Sequence, residues 1–288
     1  MGPAVVSQSV LQVNLLVNQF FASFLATGFV TYLYYGNRLM QLPFGVLGVS
    51  IATVVFPLLS RQAHSGKGEE FSNTLTQALS TGFFIMVPCT VGIWVVAEPA
   101  CRLAFEHGRF TLEAAQAAAE ATTLYSLGLT AYTGVKILLP AYYARRDARR
   151  PLLTSITGMA VNAGLNLAAF LWVADSHLRF EGLALSSGLG AVVNMVLLLL
   201  SLPEIGVRLD WNFLTQQAWK ILAASSIMGF SAWYTLKSIQ SLHLPGARFW
   251  DFILPVMAGS LVYYGLAKVM GLTGLDWILT KRKERGKK

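Results

Sequence analysis

Apolar residues dominate the chain in runs long enough to cross a lipid bilayer, and short polar stretches separate these runs. A membrane-spanning helix needs about 20 mainly apolar residues. The sequence therefore predicts an all-α integral membrane protein with about eight transmembrane helices, at residues 3–26, 31–59, 75–98, 114–144, 151–174, 181–202, 213–236 and 250–272. The fourth run is longer than a bilayer requires, so we expect it to be tilted or to begin as an interfacial segment.

The second run carries an arginine inside its apolar sequence. A guanidinium at membrane depth costs at least ~2.5 kcal/mol, so it normally faces a bundle interior or a wet cavity. Pro43 removes a backbone donor and should kink the helix just after this arginine. Helical spacing gives the arginine a face that is polar at one end and small at the other, made of Tyr34, Arg38, Gln41, Gly45, Gly48 and Ala52. Two interpretations stay open: Arg38 reaches a head group or a neighbouring helix, or it binds an anion in a transport cavity.

Composition and charge exclude several classes of protein. The chain is 55% hydrophobic and 12% charged, with a mean hydropathy of +0.54, which is too apolar for a soluble domain. The net charge of +8 lies mainly in short loops and at the C-terminus, a pattern that reports membrane topology rather than nucleic-acid binding. Fourteen lysines and arginines fall on one side of the predicted membrane and five on the other, so we expect both termini to be cytoplasmic.

The sequence contains no pattern typical of an enzyme or of a metal centre. We therefore expect no enzymatic activity, no metal ligands and no nucleic-acid partner. The N-terminal run lacks a basic leader and a small-residue cleavage site, so we interpret it as a mature span rather than a signal peptide.

Other polar residues also occur inside apolar runs. Lys136 lies deep in the fourth run, where a tilted side chain that reaches the surface and a role in a cavity are equally compatible with the pattern. Asn14 and Asn18 are four residues apart, as are Asn162 and Asn166, so each pair shares one helix face. Such amides commonly form hydrogen bonds between helices. The alternative is an oxygen cluster for a small cation such as sodium, which would be weak without a carboxylate.

Three blocks of sequence resemble one known family. They are YYGNRLMQLPFGVLGVSIATVVFPLLSR (34–61), EHGRFT (106–111) and KILLPAYYARRDARRP (136–151). Together they are similar to the MurJ (MviN) lipid II flippases of the multidrug/oligosaccharidyl-lipid/polysaccharide exporter superfamily. The resemblance implies a transporter of the bacterial inner membrane that moves a lipid-linked peptidoglycan precursor by alternating access, for cell-wall synthesis.

The resemblance covers only the second lobe of a two-lobed family. It implies a six-helix lobe at 1–202, a C-terminal helix pair at 203–272 that forms a groove for a lipid tail, and a basic cytoplasmic tail at 273–288. We therefore expect this chain to lack the first lobe. The expected partners are therefore lipid II (undecaprenyl-diphosphate-linked muropeptide), membrane lipids, and either a separate N-terminal lobe or further copies of the chain.

The resemblance also suggests roles for particular residues. Arg38 matches a cavity arginine expected to engage the diphosphate of the substrate, and we group Gln41 and Lys136 with it as substrate-binding residues. The residues Asn18, Asn162 and Asn166 are the candidates for a cation site. No cofactor is expected, and coupling to sodium or to the membrane potential stays open. The alternative functions are a related exporter of polysaccharide-lipid precursors or drugs, and a membrane fragment that does not transport.

Overall fold

The computed structural model describes residues 16–25, 28–173, 175–242, 246–272 and 274, and these residues form helices and turns without a β-strand. Residues 16–22 are helical. The elements that follow are α1 (Phe29–Pro43), a π-helical turn (Phe44–Gly48), α2 (Val49–His64), α3 (Gly68–Phe105), α4 (Leu112–Ser126), α5 (Leu129–Ala144), α6 (Arg149–Trp172), α7 (Ser176–Ser201), a 3₁₀ turn (Leu202–Ile205), α8 (Trp211–Ser241) and α9 (Ala247–Val269). The predicted all-α fold is confirmed.

Five helical stretches within the described ranges are long and apolar enough to cross a membrane: Phe29–His64, Gly68–Phe105, Arg149–Trp172, His177–Ile205 and Ala247–Val269. They coincide with the second, third, fifth, sixth and eighth predicted spans. Most of the first predicted span and the predicted basic tail lie outside the described residues, apart from residue 274 of the tail. Helix α8 covers the seventh predicted span and is long enough to cross a membrane, but it is less apolar than these five stretches.

The fourth predicted span is two helices, so its prediction as one continuous helix was wrong. Helix α4 ends at Ser126 and α5 begins at Leu129. The backbone tightens at the break, where the N–H of Gly128 donates to the carbonyl of Tyr125 at 3.1 Å. The hydroxyl of Thr90 on α3 donates to the carbonyl of Ser126 at 3.2 Å, and the indole N–H of Trp94 donates to the Ser126 hydroxyl at 3.0 Å. Two side chains of α3 therefore donate hydrogen bonds to Ser126, the residue at which α4 ends.

The predicted irregularity after Arg38 takes the form of a π-helical turn. Pro43 closes α1, and the π-helical turn begins at the next residue. Proline has no N–H to donate to the preceding turn, so the regular ladder is interrupted there. The amide of Phe44 instead donates to the carbonyl of Gln41. The helix nevertheless continues into α2, so Phe29–His64 acts as one long span with an altered turn in its middle.

Helix α3 is central to the packing and contacts α2, α4, α5, α8 and α9. Its 38 residues correspond to a length of about 57 Å at 1.5 Å per residue. This exceeds the ~30 Å hydrocarbon thickness of a bilayer, so α3 extends beyond the membrane. The hydroxyl of Tyr263 on α9 donates to the carbonyl of Phe84 on α3 at 2.7 Å, which joins the C-terminal helix pair to the rest of the fold.

A compact ion-pair network joins the loop before α6 to the turn after α7. Arg150 contacts both Asp147 and Glu204, and its distance to the Glu204 carboxylate is 2.6 Å. Burial by itself raises the pKa of the Asp147 carboxyl, but hydrogen bonds from the backbone and side chain of Arg150 outweigh it and hold this pKa below its usual value. The network links the start of α6 to the loop before it and to the turn after α7.

Candidate functional site

Arg38 is an exposed cation in the middle of the long apolar span Phe29–His64. Its Nη2 donates to the hydroxyl of Tyr34 at 3.0 Å, and its guanidinium carbon lies 5.0 Å from the centroid of the Tyr34 ring. It forms no ion pair with a carboxylate among the residues that the structure describes. The guanidinium therefore has donors available for an anion from outside the described chain.

The face predicted to surround Arg38 divides into two parts. Gln41 is half-buried and its amide donates to the side-chain oxygen of Asn37, while Gly45 is exposed. Gly48 instead faces α5, where an added Cβ would lie only 2.9 Å from the Thr133 hydroxyl. The polar end of the face and Gly45 are thus open, whereas Gly48 packs against another helix.

Lys136 is half-buried on α5. Among the described residues it has no hydrogen bond or ion pair, and neither kind of interaction joins it to Arg38 or Gln41. Its helix is nevertheless next to the π-helical turn, since the ring of Tyr132, one turn before Lys136, lies 6.2 Å from the ring of Phe44. Two cations without a carboxylate partner therefore occur on adjacent elements.

The structure brings the three predicted amides together in a buried cluster. Asn162 and Asn166 are 0% exposed and Asn18 is 8% exposed. The side-chain oxygen of Asn18 accepts hydrogen bonds from the amide of Asn162 at 3.1 Å and from that of Asn166 at 2.9 Å. Asn14, the fourth amide of the sequence prediction, lies outside the described residues.

Sequence reasoning missed the two serines of α7 that complete this cluster. The amide of Asn18 donates to the hydroxyl of Ser187 at 2.7 Å, and the hydroxyl of Ser186 donates to the side-chain oxygen of Asn166. Both serines are buried. Their adjacency in the sequence was the only signal, and helical spacing alone does not show which neighbouring helix they face.

The chemistry of the cluster is that of a neutral hydrogen-bond network. It contains amide and hydroxyl oxygens but no carboxylate, and two amide N–H groups point at the oxygen of Asn18. A sodium ion needs oxygen atoms facing it, so binding at this position would require at least one amide to turn around. As arranged, the cluster holds the N-terminal segment against α6 and α7.

A second group of charged residues was not predicted as a unit. The carboxylate of Glu106, at the end of α3, accepts from Arg102 at 3.0 Å and from Arg248 of α9 at 2.7 Å. Asp251, one turn after Arg248, is 9% exposed. Asp251 is therefore a buried carboxylate near the start of α9.

The chain is similar to known proteins over most of its length. A family model described as lipid II flippase MurJ matches residues 1–253. A probable lipid II flippase MurJ from Haemophilus influenzae is 34% identical over 248 residues, which cover 83% of this chain and 47% of the relative. A relative of the same name from Vibrio cholerae is 37% identical over 207 residues, which cover 72% of this chain and 38% of the relative. The chain therefore spans less than half the length of these two relatives.

Solved structures agree with the described fold. A lipid II flippase MurJ in an inward closed conformation superposes with a TM-score of 0.75 and 26% identity, covering 91% of this chain and 51% of that one. A MOP superfamily transporter from Pyrococcus furiosus gives a TM-score of 0.63 at 15% identity, a likeness that concerns the fold alone.

Proposed function

Because the chain belongs to the lipid II flippase MurJ family, we propose that it acts as the C-terminal lobe of a lipid II flippase in the bacterial inner membrane. It is a multi-pass membrane protein of a transporter family rather than of an enzyme family. We expect it to move the lipid-linked peptidoglycan precursor outward by alternating access, in which two lobes rock around a central cavity. Both termini would then lie in the cytoplasm, on the side with the larger number of lysines and arginines.

The observation that carries this proposal is the unpaired charge of Arg38. An exposed guanidinium in a long apolar span is costly unless it faces water or an anion. Its planar fork of N–H groups matches two phosphate oxygens at once, which suits a diphosphate. We assign the diphosphate contact to Arg38, a supporting polar contact to Gln41, and a second positive charge to Lys136.

The surface around Arg38 also suggests a partner. Large apolar side chains on the same span are also open, with Leu42 61%, Val46 66% and Phe56 47% exposed. We propose that a separate N-terminal lobe covers this surface and closes the cavity over Arg38. A second copy of the chain is the alternative occupant, and the complementation experiment below distinguishes the two.

We assign the lipid tail to the C-terminal helix pair. Helices α8 and α9 pack against each other and against α3, so residues 1–202 and 203–272 share an interface even if they differ in role. The outer surface of the pair is strongly apolar, since Trp219 is 74%, Phe230 67% and Leu261 69% exposed. A polyprenyl chain can lie along such a surface while the head group crosses through the cavity.

We propose a structural role for the amide cluster of Asn18, Asn162 and Asn166. Every amide of the three takes part in hydrogen bonds, which supports a network that fixes the N-terminal segment. A sodium site at the same position remains the competing hypothesis. The two differ in whether sodium specifically stabilises the protein, which is measured with the Asn166 variant discussed below.

Complementation of a bacterial strain depleted of its lipid II flippase tests the proposal. The chain is expressed alone and together with the N-terminal lobe of a full-length relative. We expect growth only when both lobes are present. Growth with the chain alone would replace the two-lobe arrangement by a homo-oligomer, and no growth in either case, despite verified membrane insertion, would refute the flippase function.

The variant Arg38→Ala tests the site within that assay. We expect it to abolish growth while leaving the amount of protein in the membrane unchanged, because it removes the phosphate contact and not the packing. Arg61→Ala is the matched control, since Arg61 lies in the last turn of the same span and is also exposed. Normal growth of the Arg38 variant would remove this residue from the mechanism.

A further inference from the structure

A cluster of three metal-ligating side chains joins α4 to the start of α7. Glu120 comes from α4, and His177 and Glu181 lie one turn apart on one face of α7. The distance from His177 Nε2 to the Glu120 carboxylate is 3.3 Å, and that from His177 Nδ1 to the Glu181 carboxylate is 3.4 Å. One ligand atom from each residue lies within 4.8 Å of the other two.

This arrangement leaves a negative charge without compensation. Neither Glu120 nor Glu181 contacts a lysine or an arginine in the described part of the chain. The nearby Arg179 is directed elsewhere, since its guanidinium donates to the carbonyls of Phe170 and Val173 at the end of α6. With a neutral imidazole, the cluster therefore has two carboxylates and no cation.

The histidine cannot satisfy both carboxylates by itself. A neutral imidazole has one N–H donor and one nitrogen lone pair. Because each nitrogen of His177 faces a carboxylate oxygen, one of the two contacts places a lone pair against a negative oxygen. That contact is favourable only when a cation, either a proton or a metal ion, lies between the two atoms.

We propose that Glu120, His177 and Glu181 bind a divalent transition-metal cation of the zinc class. Imidazole and carboxylate are ligands that such ions accept, and atoms held at about 2.0–2.2 Å from one tetrahedral zinc lie roughly 3.3–3.6 Å apart. Each measured distance is in this range, but the two involve opposite nitrogens of the His177 ring. One ion uses one of these nitrogens, so the carboxylate on the other side must turn toward it, and the three ligand atoms lie within 4.8 Å of one another. About half of each side chain of His177 and Glu120 is exposed, so the ion can enter from solvent and the side chains can adjust to it.

A bound ion would add a link between two helices that already pack against each other. Glu120 is on α4, which packs against α1, α3 and α7, and His177 lies in the first turn of α7 next to the rings of Phe29 and Phe180. The metal would therefore restrain the relative movement of α4 and α7 at this end of the molecule. This inference does not depend on the proposed transport activity.

The experiment uses the full chain in detergent, with any affinity tag removed and metals stripped by a chelator. Zn²⁺ is titrated and followed by calorimetry, and thermal unfolding is recorded with and without Zn²⁺. We expect one ion to bind per chain with micromolar affinity and to raise the unfolding temperature, whereas Mg²⁺ should have no effect. His177→Ala and Glu181→Gln should each weaken binding by more than about an order of magnitude.

Matched variants separate this site from other surface groups. His107→Ala and Glu113→Gln change an exposed histidine and an exposed glutamate outside the cluster, and both should bind Zn²⁺ as the unaltered chain does. If His177→Ala does not fold, Glu181→Gln and Glu120→Gln provide the same comparison. Equal Zn²⁺ affinity in the unaltered chain and in the cluster variants would overturn the proposal, as would the absence of binding and of thermal stabilisation.

Discussion

Asn166 takes part in two buried hydrogen bonds that connect three segments of the chain. Its amide donates to Asn18 of the N-terminal segment, and its oxygen accepts from Ser186 of α7. A polar group buried in an apolar environment is unfavourable unless it is hydrogen-bonded, so removing one member leaves its partners unsatisfied. The amide cluster is therefore sensitive to single substitutions.

We expect Asn166→Ala to destabilise the protein by about 1 kcal/mol, since hydrogen bonds between membrane helices average ~0.6 kcal/mol and two are lost. The measurement is thermal unfolding in detergent, with Asn212→Ala as the control because Asn212 is exposed in the first turn of α8. The same measurement in sodium, potassium and choline chloride tests the cation hypothesis. A stabilisation specific to sodium that disappears in the Asn166 variant would establish a sodium site.

The sequence predicted part of this residue-level picture. Spacing of four residues placed Asn162 and Asn166 on one face, and the structure brings both to Asn18. Spacing within a helix cannot identify contacts between helices that are far apart in the chain. For this reason Ser186 was missed, and His177 and Glu181 could be paired with each other but not with Glu120.

At the scale of whole elements, the hydropathy of the sequence predicts most helices but does not predict the break between α4 and α5. The predicted span 114–144 has no proline and no charged residue between Ser126 and Leu129, so its hydropathy does not separate α4 from α5. The break depends on tertiary contacts instead. A Cβ on Gly128 would lie only 2.7 Å from the Cα of Gly188, so the two backbones approach closely where α4 gives way to α5. This close approach depends on the position of α7, which carries Gly188, and the sequence of α4 and α5 alone does not show that position.

Helices α6 and α7 meet through two glycines. A Cβ on Gly158 would lie 2.7 Å from the carbonyl oxygen of Gly190, and a Cβ on Gly190 would lie 2.7 Å from that of Gly158. Backbone atoms cannot move aside as a flexible side chain can. The contact therefore depends on glycine at both positions.

We expect Gly158→Ala to lower the free energy of unfolding by about 1–3 kcal/mol, as is typical of an overpacked contact. Gly164→Ala on the same helix is the control, because a Cβ there meets nothing within 4 Å. Thermal unfolding in detergent measures both variants. Equal stability of the two would show that α6 and α7 do not depend on this close approach.

At the scale of the whole molecule, the C-terminal helix pair is attached to α3 at two levels. Tyr263 bonds to the backbone of Phe84 in the middle of α3, and Arg248 bonds to Glu106 just beyond its end. Neither link was predictable from the sequence, because the partners are far apart in the chain. They show that the pair packs on α3 rather than on the surface around Arg38.

We expect Arg248→Ala to increase hydrogen exchange at the start of α9 and to lower the free energy of unfolding by up to ~1 kcal/mol. The effect is small because the Arg248 side chain is 49% exposed, and Arg102 still pairs with Glu106. A double-mutant cycle with Glu106→Gln isolates the pair, and Arg109→Ala in the exposed loop serves as the control. If the changes in the free energy of unfolding caused by Arg248→Ala and Glu106→Gln simply add, the two side chains do not stabilise each other and the prediction is wrong.

The length of α3 gives it the geometry of a lever. It is about 57 Å long and packs against α4 and α5 as well as against α8 and α9. A rotation of only about 10° around its midpoint displaces each end by about 5 Å, close to the rise of one helical turn. Because Arg248 donates to Glu106 just beyond the C-terminal end of α3, a tilt of α3 would carry the start of α9 sideways with it.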